Sequence, residues 1–333
     1  MRKNIEELSL APATRGIFEE LPRRLYGSRY RGEEAPDGLP FFVVRGNDGA
    51  VLARAAVWTN PALNYRGAVP GLVGSFESEN DAASAATVLL AAENYIRARG
   101  HQRVIGPMNG STWGRYRLAL PLAAPCLFPL EPMNPPWYWE LWEKCGYETL
   151  AEYVTKSFPL SEDSFARLEK AERIFARRAI TVSDWRPDRV REELDDIFAV
   201  SLVSFKNNFL YVPADRGAFL SHYLPLAAKM RPHDAAIARR ADGTPVGFVF
   251  GFPNPYAAEG AEYVSKTVAV LPDADCRGLG ALLAERMAKK AFEDGFRVMY
   301  HALMHVDNVS TLIGNHAGAK VCRRYRLYTK EFK

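Results

Sequence analysis

At 333 residues the chain exceeds one average domain and is long enough for two, each with its own core. With 48% hydrophobic and 25% charged residues it reads as folded throughout, and a formal charge of +4 is too mild to point to DNA. No run approaches the roughly 20 apolar residues of a membrane span, and Met1-Arg2-Lys3-Asn4-Ile5-Glu6-Glu7 lacks the apolar core of a leader, so a cytoplasmic protein outside the membrane is expected.

In chain order, periodicity predicts a helix over 13–27 and strands over 41–45 and 51–58 around the turn Asn47-Asp48-Gly49. A strand near 68–76, an alanine-rich helix over 81–99 stopped by Gly100, and a short strand near 102–106 follow. The Pro-rich stretch from Pro121 to Pro136 reads as a long loop. A charged amphipathic helix is expected over 162–178, a strand over 179–185, and helices near 188–204 and 215–230. The four cysteines, Cys126, Cys145, Cys276 and Cys322, have no C-x-x-C spacing, so reduced thiols are expected rather than zinc ligands or disulfides.

After residue 234 the first order returns. Strands near 235–240 and 245–252 flank Asp242-Gly243, and a strand at 261–271, a helix at 279–294, Gly295 and a strand at 297–304 follow. At an offset of about 194, Asp48-Gly49 falls on Asp242-Gly243, and with one residue inserted Gly100 falls on Gly295. Each half is then expected to close with a helix, a glycine and a strand, as Gly146 to Thr155-Lys156-Ser157-Phe158 and Gly318 to Thr329-Lys330-Glu331-Phe332. The pattern is that of a duplicated α/β (α+β) unit, with a boundary near Pro159-Leu160-Ser161 that divides the chain into 1–160 and 161–333.

In the second half an apolar strand end, Thr267-Val268-Ala269-Val270-Leu271-Pro272, leads through Asp273-Ala274-Asp275-Cys276 into Arg277-Gly278-Leu279-Gly280-Ala281 at a helix start. Glycines allow close backbone approach there, and the unpaired N–H groups of the first helical turn face an anion with the positive end of the helix dipole. This segment resembles the GNAT (GCN5-related N-acetyltransferase) superfamily, whose V-x-P strand end and R-G-x-G helix start cradle the pyrophosphate of coenzyme A. The resemblance covers about residues 179–333. It implies two tandem GNAT-like domains, each a mixed, mostly antiparallel sheet flanked by helices, with acetyl-CoA or another acyl-CoA as cofactor of the second. It also implies that Val268 and Val270 meet the pantetheine arm and that Arg277, Gly278, Leu279, Gly280 and Ala281 meet phosphate. Asn308, starting a short helix after the fifth strand, would touch the cofactor or simply cap that helix. Two positions depart from the family: Leu282 stands for the usual Gly or Ala of the motif, and Asn315 for the tyrosine that protonates the departing thiolate.

Attack by a neutral amine on a thioester needs a proton acceptor and a donor for the developing oxyanion. Glu262 has the strand parity of Val268 and Val270 and is the candidate base, unless it is a plain surface carboxylate. His301 and His305, four apart, are expected to face one way, as base, substrate contact or packed histidines. Tyr328 and Tyr325 offer an acid or serve as strand packing. For the acceptor, a small-molecule or peptide amine, the loop carrying Phe205, Asn208 and Tyr211 and the first-half residues Asn109, Trp113 and Tyr116 are candidates, with ordinary turn chemistry as the alternative. In the first half Glu77, Glu79 and Asp81 stand where the glycine motif belongs, so that half is expected to bind no CoA. The function expected is an acyl-CoA-dependent N-acyltransferase acting by direct attack. The alternatives are a CoA-binding sensor or scaffold without turnover, and a FemABX-like aminoacyl transferase, for whose tRNA the sequence carries no sign.

Overall fold

The computed structural model describes residues 4–122, 128–257 and 261–332, and Cys126 lies outside them. The chain forms two compact units. One holds the described residues of Met1–Ala123, Pro132–Glu152 and Tyr325–Lys333, and the other those of Ala124–Glu131 and Tyr153–Arg324.

The elements in order are β1 (Asn4–Ser9), α1 (Pro12–Tyr26), β2 (Pro40–Arg45), β3 (Val51–Trp58), β4 (Gly71–Ser78), α2 (Ala82–Arg97), β5 (Arg103–Gly106), β6 (Leu118–Ala119), α3 (Tyr138–Lys144) and β7 (Glu148–Pro159). Then come α4 (Leu168–Arg177), β8 (Ile180–Asp184), α5 (Val190–Ser204), α6 (Arg216–Ala227), β9 (Ala235–Arg240), β10 (Pro245–Pro253), β11 (Glu262–Val270), α7 (Leu279–Glu293), β12 (Val298–His305) and β13 (Lys320–Glu331). No described helix is long and apolar enough to cross a membrane.

In unit 1, β1, β2, β3 and β4 pair antiparallel in sequence, β4 pairs parallel with β5, and β5 pairs antiparallel with the end of β13. Strand alternation sends Phe41 and Val43 to a core with Phe18 and Leu21 of α1, and Phe42 and Val44 to a core with Val88 and Leu89 of α2 and Trp142 of α3. In unit 2, β8, β9, β10 and β11 pair antiparallel, β11 pairs parallel with β12, and β12 pairs antiparallel with the end of β7. One face packs on Leu279, Leu283 and Met287 of α7 and Phe175 of α4, and α5 lies against β10 and β11.

Each half of the sequence therefore closes the sheet of the other. Met299 of β12 faces Phe158, and Tyr328 of β13 faces Gly106 of β5, so the units differ from the division 1–160 and 161–333 by two exchanged strand ends and by the described part of Ala124–Glu131, which belongs to unit 2. The two ends have like sequences, Thr155-Lys156 and Thr329-Lys330, and each fills the same antiparallel place beside a fifth strand.

Other differences are local. β1 lies outside the expected elements. The helix expected over 162–178 is a 3-10 turn, Glu162–Phe165, followed by α4, because the Ser164 hydroxyl accepts the Ser161 N–H and closes a tight turn first. The closing helix of the second half is two 3-10 turns, Val309–Leu312 and Asn315–Ala317, with left-handed glycines at Gly314 and Gly318 breaking any longer helix.

Candidate functional site

β11 ends at Val270, a 3-10 turn spans Ala274–Cys276, and Gly278 at φ +90° opens α7 with no side chain capping it. Among the described residues, no backbone carbonyl outside the helix accepts the Leu279 or Gly280 N–H. A Cβ added at Gly280 would meet only Val268 and Val270 side chains, at 3.6 and 3.7 Å, an ordinary contact. The protein's own packing thus leaves room at Gly280, and that room belongs to a cavity. An uncapped helix start over an open backbone suits the pyrophosphate of a CoA thioester.

Two arginines brace the turn from behind. Arg240 donates to Asp273 at 2.7 Å and to both oxygens of Asp275 at 2.9 Å, and its hydrogen bonds hold the Asp275 carboxyl down at about 2. Arg178 donates to the carbonyls of Asp275 and Arg277, each at 3.0 Å. Asp273, Asp275 and Cys276 stand close enough to share a metal ion, but Arg240 already sits on both carboxylates. Burial, then Asp275, pushes the Cys276 thiol up to about 11, so it is no nucleophile near neutrality.

The cavity has a volume of about 520 Å³. Of the residues expected at the cofactor, Val268, Val270, Arg277, Gly278, Gly280 and Ala281 line it. Leu279 is fully buried in the core and offers only its backbone, and Asn308 lies outside the wall, which Val309 and Ser310 reach. Asn308 makes no side-chain cap for the turn it precedes.

The cavity reaches His301, at the point where β11 and β12 part. Their pairing runs from Glu262–Val298 to Ser265–His301 and stops, although β11 continues to Val270 and β12 to His305. Both strands bulge near this point. Phe250 of β10 faces Thr267 but Gly251 faces Ser265, so Lys266 is an extra residue and strand parity reverses across it. Glu262 and Val264 therefore lie on the opposite face from Val268 and Val270, with Val264 packed on Phe128, Tyr300 and Ala302. This corrects the parity expected of Glu262. Its carboxylate lies outside the cavity wall and accepts from Asn254 Nδ2 at 2.6 Å and Tyr300 OH at 3.0 Å.

The same correction applies to the histidines. His301 faces Lys156 and Met304 faces Val154, so β12 carries one extra residue, with Leu303 at φ +60°. His301 and His305 consequently point to opposite faces. His301, 4% exposed, stacks on Phe158 in the cavity wall. His305 packs against Tyr153 and Phe209, with ring centroids at 5.0 and 5.6 Å, and its Nδ1 accepts the Asp307 N–H at 3.2 Å.

The strand exchange removes Tyr328 and Tyr325 from the cavity. Both are fully buried in unit 1, where burial pushes Tyr328 up to about 12. Asn109 and Trp113 also belong to unit 1, and Asn109 is spent on the Ser75 N–H and Glu33. Phe205, Asn208 and Tyr211 form successive turns after α5, outside the cavity wall but beside Phe209. Asn315 takes a hydrogen bond from Lys156 Nζ at 2.8 Å, and the same ammonium holds the Thr311 carbonyl at 2.6 Å. Sequence reasoning missed Phe158 and Arg167, which line the cavity, and Arg240, which braces the turn. Phe158 was legible only as a strand end, and no local pattern marks an arginine two residues before a hairpin turn.

At the corresponding helix of unit 1 the protein supplies its own anion. Asp81 caps α2, accepting from Ala83 N at 3.0 Å and Ser84 Oγ at 2.7 Å, and Glu79 pairs with Arg24 at 2.9 Å.

Residues 202–311, which lie within unit 2, match the family model described as Acetyltransferase (GNAT) family. Among solved structures, a GCN5-related N-acetyltransferase from Sphaerobacter thermophilus aligns over 98% of this chain and 95% of its own at 15% identity and TM-score 0.55. A tandem GNAT protein from the clavulanic acid biosynthesis pathway aligns over 98% of each chain at 13% identity and TM-score 0.53. A conserved protein of unknown function from Enterococcus faecalis V583 aligns over 98% of this chain and 73% of its own at 11% identity and TM-score 0.61. These likenesses are of fold, and they extend over both units. No curated protein matches the chain at a significant level.

Proposed function

We propose that the protein is an acyl-CoA-dependent N-acyltransferase, with acetyl-CoA or another acyl-CoA as donor and a small-molecule or peptide amine as acceptor. The observation that carries this reading is one continuous cavity from the uncapped start of α7 to His301, where β11 and β12 part. The cofactor supplies an activated acyl thioester. Backbone N–H groups at Leu279 and Gly280 hold its pyrophosphate, and Val268 and Val270 line the path of its pantetheine arm.

His301 is the group for proton acceptance, because among Glu262, His301, His305, Tyr325 and Tyr328 it alone lines the cavity. Its imidazole takes the proton that the attacking amine releases. The high thiol pKa of Cys276 agrees with direct transfer without a covalent enzyme intermediate. Cys145, Cys276 and Cys322 are free thiols, which suits a reducing compartment such as the cytoplasm.

One observation favours a second reading, a CoA-binding protein without turnover: Asn315 carries an amide engaged by Lys156 and has no acidic proton for the thiolate. Thioester cleavage with a panel of amines decides. Amine-dependent release of free thiol supports the enzyme, and saturable CoA binding without release on any amine supports the sensor.

A further inference from the structure

The like strand ends of the two units each carry a lysine, and the two lysines find different partners. In unit 1 Lys330 donates to the Cys145 carbonyl at the end of α3 at 2.9 Å, and the buried carboxylate of Glu93 on α2 neutralises it at 2.9 and 3.0 Å. In unit 2 Lys156 reaches the two 3-10 turns that replace the closing helix. Its Nζ donates to the Thr311 carbonyl at 2.6 Å and to Asn315 Oδ1 at 2.8 Å, and among the described residues no carboxylate pairs with it.

The segment that Lys156 holds is a wall of the cavity. Val309, Ser310, Leu312, Ile313 and Gly314 line it, and Val309 and Leu312 are 80% and 64% exposed, so the protein itself leaves these apolar side chains uncovered. Among the described residues, the other hydrogen bonds of 309–314 are local, as in the Thr311 N–H to the Asn308 carbonyl at 3.0 Å and the Ala319 N–H to the Gly314 carbonyl at 3.2 Å. Such bonds shape the turns but do not fix them to the sheet. Two contacts with β7 do that. Gly314, at φ +77°, lies against the stacked rings of Phe158 and His301, where an added Cβ would come within 3.2 Å of each. Lys156, which faces His301 across β7 and β12 and shares a strand face with Phe158 two residues on, supplies the hydrogen bonds.

We propose that Lys156 is a positioning residue of the cofactor site, holding 309–315 as a wall of the cavity so that Val309 and Leu312 cover the apolar arm of a CoA thioester. The inference rests on the acyl-CoA reading of this cavity. An ammonium has three donors and no acceptor, so Lys156 holds a backbone carbonyl and the Asn315 amide oxygen at once. Covering apolar ligand surface contributes most when the covering group is already in place, because ordering a loose segment on binding costs entropy. In unit 1 the equivalent ammonium is spent on Glu93, whereas Lys156 keeps its donors for the wall.

The test is titration of the full chain with CoA, with amide hydrogen exchange of the free protein measured alongside. Lys156→Met keeps an apolar stem and removes the ammonium. It should weaken CoA about tenfold and speed exchange across 309–319, while the amides of Leu283 and Met287 in α7 exchange as in wild type. Lys156→Arg, which keeps donors and charge, should recover most of the affinity. Asn315→Ala removes one of the two acceptors, should weaken CoA a few fold, and carries the test if Lys156→Met fails to fold. Unchanged CoA affinity in Lys156→Met and Asn315→Ala, exchange quickened equally in α7, or an arginine variant no better than the methionine one would overturn the proposal. A wild-type chain that binds no CoA would overturn the acyl-CoA reading itself, whereas CoA binding that no variant alters overturns this inference alone.

Discussion

The imidazole of His301 lies nearly flat on the ring of Phe158, with centroids 5.1 Å apart and planes 25° from parallel. Phe158 reaches this place from β7, on the far side of the sequence boundary at 160, and packs in the same core as Met299. The stack fixes the ring plane of the proposed proton acceptor in the cavity wall.

His301→Gln should lower turnover by roughly 10² to 10⁴ and leave CoA affinity near wild type, since general-base catalysis contributes about that much. Glu262→Gln should change neither, because Glu262 lies across the Lys266 bulge on the other face. Steady-state kinetics with a competent amine checks both. Unchanged turnover in His301→Gln, or a large loss in Glu262→Gln, would reverse the assignment.

A chain cut to residues 161–333 should fail to fold as a CoA-binding domain. It lacks Tyr153–Pro159, leaving the edge of β12 unpaired and removing Phe158 from both core and cavity. Deleting that one aromatic side chain alone costs about 3–5 kcal/mol in a packed core. Soluble expression with CoA-dependent stabilisation in the fragment would show that β7 is dispensable.

What the sequence disclosed and what it hid divide by range. The turn at Arg277-Gly278-Leu279-Gly280 was legible because strand end, loop, Gly278 and helix start are contiguous, and each obeys a local rule. The Lys266 and Leu303 bulges carry no glycine or proline, so counting by twos across them put Glu262 and His305 on the wrong faces. The destination of β13 is set by pairing with β5, more than two hundred residues earlier, as in the Thr329 hydroxyl donating to the Val104 carbonyl. No window on the sequence contains that contact. β1 was missed because Asn4-Ile5-Glu6-Glu7-Leu8-Ser9 is mostly polar and pairs, among the described strands, only with β2.

Arg240→Gln should weaken CoA binding about tenfold, and more at low ionic strength. It leaves Asp273 and Asp275 uncompensated beside the turn proposed to hold phosphate, where salt otherwise screens them. The acid limit follows from the same contact. The folded value of Asp275, about 2, lies below its usual 3.8, so the contact's stabilisation is present above about pH 4 and is lost as pH falls through about 2. Affinity measured at two salt concentrations checks the first claim, and acid unfolding of the variant against wild type the second.

The central claim is that unit 2 holds acyl-CoA on the open backbone at Gly280, while unit 1 has closed its own helix start with Asp81. Titration calorimetry of CoA into the full chain measures this directly. The account predicts a stoichiometry of one per chain, abolished by Gly280→Val, whose side chain would fill the cavity floor between Val268 and Val270. No binding, two sites per chain, or undiminished affinity in Gly280→Val would contradict it.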